Sequence, residues 1–168
     1  NPGFVDRHCR SDEAFFALVL HELLHVVLGH TRLFPTATWA NNIAFDAIIN
    51  AMIARAHPQP RYLELFTSTN DWNSFPGRLL RPPPGWPQRP KALPADASAA
   101  ERSVHARLYP LGGAKPADVA DDPFLAMLVR PRPPAARVPD DDVTYGEILA
   151  LLKSAGLTCD AALERLGT

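Results

Sequence analysis

Only two cysteines, Cys9 and Cys159, occur in 168 residues; they lie near opposite ends, and no CxxC pair is present. That excludes a disulfide-stapled miniprotein and a zinc site built from cysteine pairs, and it suits two separate reduced thiols in a cytoplasmic protein. No apolar run reaches the ~20 residues of a membrane-spanning helix. The longest, Ala14 to Leu28, carries His21, Glu22 and His25 inside it and reads as a buried helix. Charge of one sign is lacking as well: 17 Lys and Arg stand against 18 Asp and Glu, for a formal net charge of −1, and the basic residues are scattered. Nucleic acid and anionic membrane surfaces both need a basic face, so neither is an expected partner. Apolar–polar alternation is scarce, with Tyr62 to Thr67 the one strand candidate, and there is no internal repeat. The chain starts at Asn1 rather than Met and reads as trimmed, so a targeting segment is not excluded.

What is present points to one mostly α domain. Hydrophobic residues make up 46% and charged residues 21%, a globular balance. Ser11-Asp12-Glu13 is a cap followed by acids suited to a helix N-terminus; the helix then runs from about Asp12 to Leu28 and stops at Gly29. A short connection, Thr31 to Ala37, leads to a second apolar helix from near Thr38 to Ala56, ended by His57-Pro58-Gln59-Pro60. Residues 1–57 thus form a helical core. Residues 58–97 form a proline-rich wrap or lid, with seven prolines between Pro76 and Pro94 and Trp86 among them as a docking residue. Residues 98–168 form a helical C-terminal part. There Ser98 to Glu101 matches a capping box for a helix over Ala99 to Tyr109. Further helices are expected over Asp122–Val129, Val143–Ser154 and Thr158–Leu166, with Asp140, Asp141 and Asp142 capping the Val143 helix.

Residues 21–30 read His-Glu-Leu-Leu-His-Val-Val-Leu-Gly-His. Helix positions i and i+4 share a face with Cβ atoms roughly 5–6 Å apart, so His21 and His25 can converge on one ion with Zn–N bonds of about 2.0–2.1 Å. Glu22, about 100° round the helix, lies beside such an ion and is placed to hydrogen-bond a water on it. Burying three unpaired titratable groups in an apolar helix costs several kcal/mol; a shared metal removes that conflict.

A catalytic zinc site needs a third protein ligand and an open position. Asn42, Asp46 and Asn50 are spaced i, i+4, i+8 in an otherwise apolar helix and form one polar stripe. The short connection turns that stripe towards the motif helix. Asp46, the only ionisable member, is the natural ligand, and Asn42 and Asn50 can orient a ligand histidine. Two alternatives stay open: Asp46 accepting a hydrogen bond from a ligand histidine instead, or His30 as the ligand if the chain turns back at Gly29. His30 otherwise reads as a helix-end or surface residue and His57 as exposed. His105 and Tyr109 are oxyanion candidates that better suit packing.

HExxH followed about twenty residues later by an acid resembles the gluzincin arrangement, with Asp46 in place of glutamate. More closely, HELLHVVLGH followed by Trp39, Ala44, Asp46 and Asn50 resembles the zincin-type metallopeptidase domain of bacterial proteins that carry a von Willebrand factor A-like domain and are associated with MoxR-type AAA ATPases. The likeness covers residues 1–57 best. It implies a minimal zincin-like core of two antiparallel buried helices, with additional C-terminal helices and proline-rich loops, and zinc-dependent peptidase activity with such partners. Two departures stand out. Gly29 and His30 fall four and five residues past His25, unlike the metzincin spacing of three and six. Only about a dozen residues precede the motif helix, so no upstream sheet is expected to bind substrate by strand addition.

The expected function is therefore zinc-dependent hydrolysis of a peptide or protein by a metal-activated water, with Glu22 as general base and His21, His25 and Asp46 as metal ligands. The alternative is a catalytically silent, zinc-stabilised adaptor that binds a partner ATPase or a substrate-presenting protein.

Overall fold

Ser11, in extended conformation, accepts a hydrogen bond on its hydroxyl from the Ala14 amide and so supplies one of the partners a helix start lacks. This cap opens α2 (Asp12–Val27) in a computed structural model that describes residues 2–30, 38–111 and 145–157. A helix ahead of it, α1 (Pro2–His8), was not foreseen. After α2 come α3 (Trp39–Ala56), α4 (Pro60–Thr69), a 3-10 turn at Gly77–Leu80, α5 (Ala99–Leu108) and α6 (Tyr145–Ser154). The described residues are thus mostly α and contain no strand.

The central element is α3, which touches α2, α4, the 3-10 turn, α5 and α6. The sequence explains why. Ala40, Ala44, Ala47, Ala51 and Ala54 repeat at intervals of four and three and are all buried, beside Ile49 and Ile53. Small side chains on one face of a helix let neighbouring backbones approach closely, while the isoleucines fill the remaining space. Thr38 starts α3 with a reciprocal capping box: its hydroxyl accepts from the Asn41 amide, and Asn41 Oδ1 accepts from the Thr38 amide. The Asn41 side-chain amide also donates to the Tyr145 hydroxyl, tying α6 to the start of α3.

Three expectations change. Tyr62 to Thr67 lies inside α4 rather than in a strand. Leu63 and Leu65 imitate alternation, but Pro60 occupies the first turn, where its missing N–H costs nothing, and Leu63 and Phe66 share the buried helical face. The motif helix α2 is not buried all round. Ala14, Ala17 and Leu24 are buried, whereas Phe15, Phe16, Val19, Leu23 and Val26 are about half exposed or more. The capping box expected at Ser98 is half made. Ser98 accepts from the Glu101 amide, but the Glu101 carboxylate pairs with buried Arg78, whose guanidinium also meets Asp96 at 3.2 Å. A buried charge must be paired, and that need outweighs a second cap bond.

Trp86 is buried in the core and donates its indole N–H to the Pro110 carbonyl at 3.0 Å, so it is not offered to a docking partner. The helix over Val143–Ser154 is described from Tyr145 onward. The segments expected at Asp122–Val129, at Asp140 to Asp142 and at Thr158–Leu166 lie outside the described residues, as does Cys159. Cys9 carries a free thiol, and burial followed by the nearby Glu64 charge raises its pKa. No helix among the described residues is long and apolar enough to cross a membrane.

Candidate metal centre

Ala14, Ala17, His21 and Leu24 follow one another at helical intervals of three, four and three, and the three apolar members are buried. His21 therefore lands on the face of α2 that meets α3, and His25 sits one turn on. The pairings run in opposite directions along the two helices: His21 meets Asn50, and His25 meets Asp46. The helices are accordingly antiparallel, and Asp46 and Asn50 of the α3 stripe face the motif.

His21, His25 and Asp46 form a group that can hold a metal ion. His21 Nε2 and His25 Nε2 lie 3.1 Å apart, and Asp46 Oδ1 lies 3.6 Å from the first and 3.1 Å from the second. Tetrahedral ligands at about 2.0–2.1 Å from zinc are separated by about 3.3 Å, so the triangle has the right size before any adjustment.

The proton positions fit as well. Asn50 is buried, and its amide Nδ2 donates to the Leu80 carbonyl at 2.9 Å. A carbonyl only accepts, so the Asn50 oxygen is turned to His21 Nδ1, 2.8 Å away. That nitrogen must then carry the proton, which leaves the Nε2 lone pair directed at the triangle. Two such lone pairs and a carboxylate repel one another unless a cation lies between them. In the metal-free chain a proton can serve. Burial lowers the His21 pKa, but the hydrogen bond and charge of Asp46, helped by Asn50 and Glu22, outweigh it and the net direction is upward. A metal must displace that proton, so its affinity falls as the pH drops.

His30 is where sequence reading fell short. It is not a surface residue: Gly29 adopts φ 71°, a left-handed conformation open to glycine, and the chain turns back. His30 Nδ1 comes to 3.0 Å from His25 Nδ1, on the ring nitrogen that does not face His21. It is no member of the group that can hold a metal; it contacts one of that group's histidines. Its ring stacks on Phe45 at 3.7 Å, and Phe45 stacks on Tyr145 at 4.7 Å. Burial, with the His25 charge adding, lowers the His30 pKa to about 4, so at neutral pH the ring keeps a lone pair to accept the His25 N–H. The glycine four residues past the second histidine was the available signal. Asn42, expected to orient a histidine, is instead exposed. Replacing His30 by alanine is expected to lower zinc affinity by about 10–100-fold, the usual cost of losing a partner of a ligand histidine. His30→Gln, which retains an acceptor, should recover part of it; competition against a chelating dye measures both.

Glu22 is exposed at the edge of the group and lines a cleft of about 610 Å3 together with His21, Asp46 and Asn50. The other candidates lie elsewhere. His57 is half buried and stacks on Tyr62 at 4.7 Å. Tyr109 is buried and donates its hydroxyl to the Leu79 carbonyl at 3.3 Å. His105 is buried against Trp72, and burial lowers its pKa to about 4. Neither residue lines the cleft, and both serve packing.

No protein-family model matches the chain, and neither a curated protein nor a solved structure matches it at a significant level. The chemistry of the site has to be read from its own residues.

Proposed function

We propose that the protein is a zinc-dependent peptidase in which His21, His25 and Asp46 hold the metal and Glu22 is the general base. The observation that carries this reading is the convergence of two imidazole Nε2 atoms and one carboxylate oxygen at 3.1–3.6 Å, with an uncoordinated carboxylate, Glu22, on the same open cleft. A purely structural zinc site is closed by four protein ligands and has no use for a free carboxylate beside it. When bound, zinc supplies Lewis acidity, lowering the pKa of water from about 15.7 to about 7 and polarising a carbonyl. Glu22 takes the proton from the attacking water and delivers it to the departing amine nitrogen. Asn50 and His30 keep the two imidazoles in the tautomer that binds metal.

The resemblance to the metallopeptidase domain that accompanies von Willebrand factor A-like domains and MoxR-type ATPases belongs to this proposal, as do such partners. A second reading, a zinc-stabilised adaptor, draws on the exposed apolar side chains of α2, Phe15, Phe16, Val19, Leu23 and Val26, because contiguous exposed apolar surface commonly marks a protein contact. Metal removal tests the peptidase. The purified protein should contain one zinc per chain and cleave an unstructured peptide. Chelation should abolish cleavage, and stoichiometric zinc should restore it. Cleavage that survives complete demetallation would overturn the reading.

A further inference from the structure

Tyr145 is the first residue of α6 and is half buried where that helix meets α3. Its hydroxyl accepts a hydrogen bond from the side-chain amide of Asn41, whose oxygen caps the start of α3. Its ring lies on Phe45, with 4.7 Å between centroids and 19° between the planes. Phe45 is buried and meets the His30 ring in the same way, at 3.7 Å and 16°. Three rings from three separate parts of the chain thus form one stack. It ends on the histidine whose Nδ1 lies 3.0 Å from His25 Nδ1.

The stack decides something that α2 cannot. The motif helix ends at Val27, and His30 follows the left-handed Gly29, so helical periodicity does not set the plane of its ring. A hydrogen bond between two imidazole nitrogens is directional and weakens steeply as its angle closes. His30 therefore serves His25 only while its ring keeps one orientation. A flat ring 3.7 Å away restricts that orientation, because turning the imidazole would drive its edge into the closely packed Phe45. Phe45 in turn rests on Tyr145, and α6 is anchored in the core through Ile148, Leu151 and Leu152.

We infer that Tyr145 is a positioning residue for the metal centre: it steadies Phe45, Phe45 fixes the plane of His30, and His30 fixes the imidazole of His25. The inference rests on the metal-centred part of the proposed function. It adds a dependence of that centre on α6, a helix that supplies no member of the His21–His25–Asp46 group and does not line the cleft. The ring carries the effect and not the hydroxyl, which Asn41 engages.

Two substitutions separate ring from hydroxyl. Tyr145→Leu removes the ring and keeps apolar bulk; Tyr145→Phe keeps the ring and removes the bond to Asn41. On the full chain, Tyr145→Leu should weaken zinc binding about 3–10-fold, the equilibrium equivalent of one aromatic stack. It should also alter the visible absorption of the cobalt-substituted protein, which reports ligand geometry. Tyr145→Phe should match the parent in both. The route is tested in a His30→Ala background, where Tyr145→Leu should weaken zinc binding no further. Parental zinc affinity and cobalt absorption in Tyr145→Leu would overturn the inference. So would an undiminished extra loss in the His30→Ala background, which would make Tyr145 a general support of the fold. NMR of the metal-free chain keeps the stack distinct from the metal reading: Tyr145→Leu should move the ring-proton resonances of His30, which lies against Phe45. A parent that takes up neither zinc nor cobalt, with those resonances moved by Tyr145→Leu, would uphold the stack and count against the metal-centred reading. Unmoved resonances would overturn the stack itself.

Discussion

Glu22→Gln is expected to lower peptide hydrolysis by about 10²–10⁴-fold, the contribution of a positioned general base, while zinc content and stability stay at parental levels. The asymmetry follows from where Glu22 sits. It is exposed and outside the His21–His25–Asp46 triangle, so a neutral amide of the same shape removes a proton acceptor without removing a ligand or opening a cavity. Exposed substitutions of this kind usually change stability by less than about 0.5 kcal/mol. The measurement is kcat on a defined peptide, with metal analysis and thermal unfolding of the same preparations. Undiminished cleavage by the variant would exclude Glu22 as the base. A parent that binds zinc and cleaves nothing, alone or with partners, would favour the adaptor.

The second large effect is expected at Asp46. Asp46→Ala removes the only anionic member of the triangle and leaves two imidazole lone pairs 3.1 Å apart. Zinc affinity should fall by well over the ~10–100-fold that losing a ligand's hydrogen-bonding partner costs, and His21→Ala or His25→Ala should do the same. Asp46 also holds the His21 pKa up. In the metal-free Asp46→Ala protein that support is gone, so burial prevails and His21 should titrate at lower pH than in the parent. NMR titration of the imidazole protons checks this without any metal. A parental His21 titration in that variant, or full zinc occupancy, would show that Asp46 does not face the motif as described.

Much of the centre was legible in the chain because helical periodicity is local. The i, i+4 spacing of His21 and His25, the i, i+4, i+8 stripe of α3 and the cap at Ser11 all depend on residues within a few positions of each other. A short connection then restricts how two such helices can meet. Where the motif faces and where the second helix lies were thus open to inference, and Asn50 is found against His21 as the stripe implied.

The rest depended on contacts between residues far apart in the chain, which periodicity does not encode. Leu63 and Leu65 have a strand-like rhythm, and only the packing that buries Leu63 and Phe66 on one face, with Leu65 beside Phe66, shows them to be helical. All of α2 was read as buried from its composition, yet burial is decided by what packs against a face, and among the described residues its outer side is left open. His30 illustrates the same limit at the scale of one residue. Its number along the helix places it away from the metal, but a left-handed Gly29 and the Phe45 ring bring it back against His25. The cleft is lined by residues of α1, α2, α3, α4 and the 3-10 turn. The sequence by itself determined which groups can hold a cation, because their chemistry and spacing are written within two helices. The tertiary structure alone decided what surrounds that cation, because each neighbour is held in place by packing across the whole core.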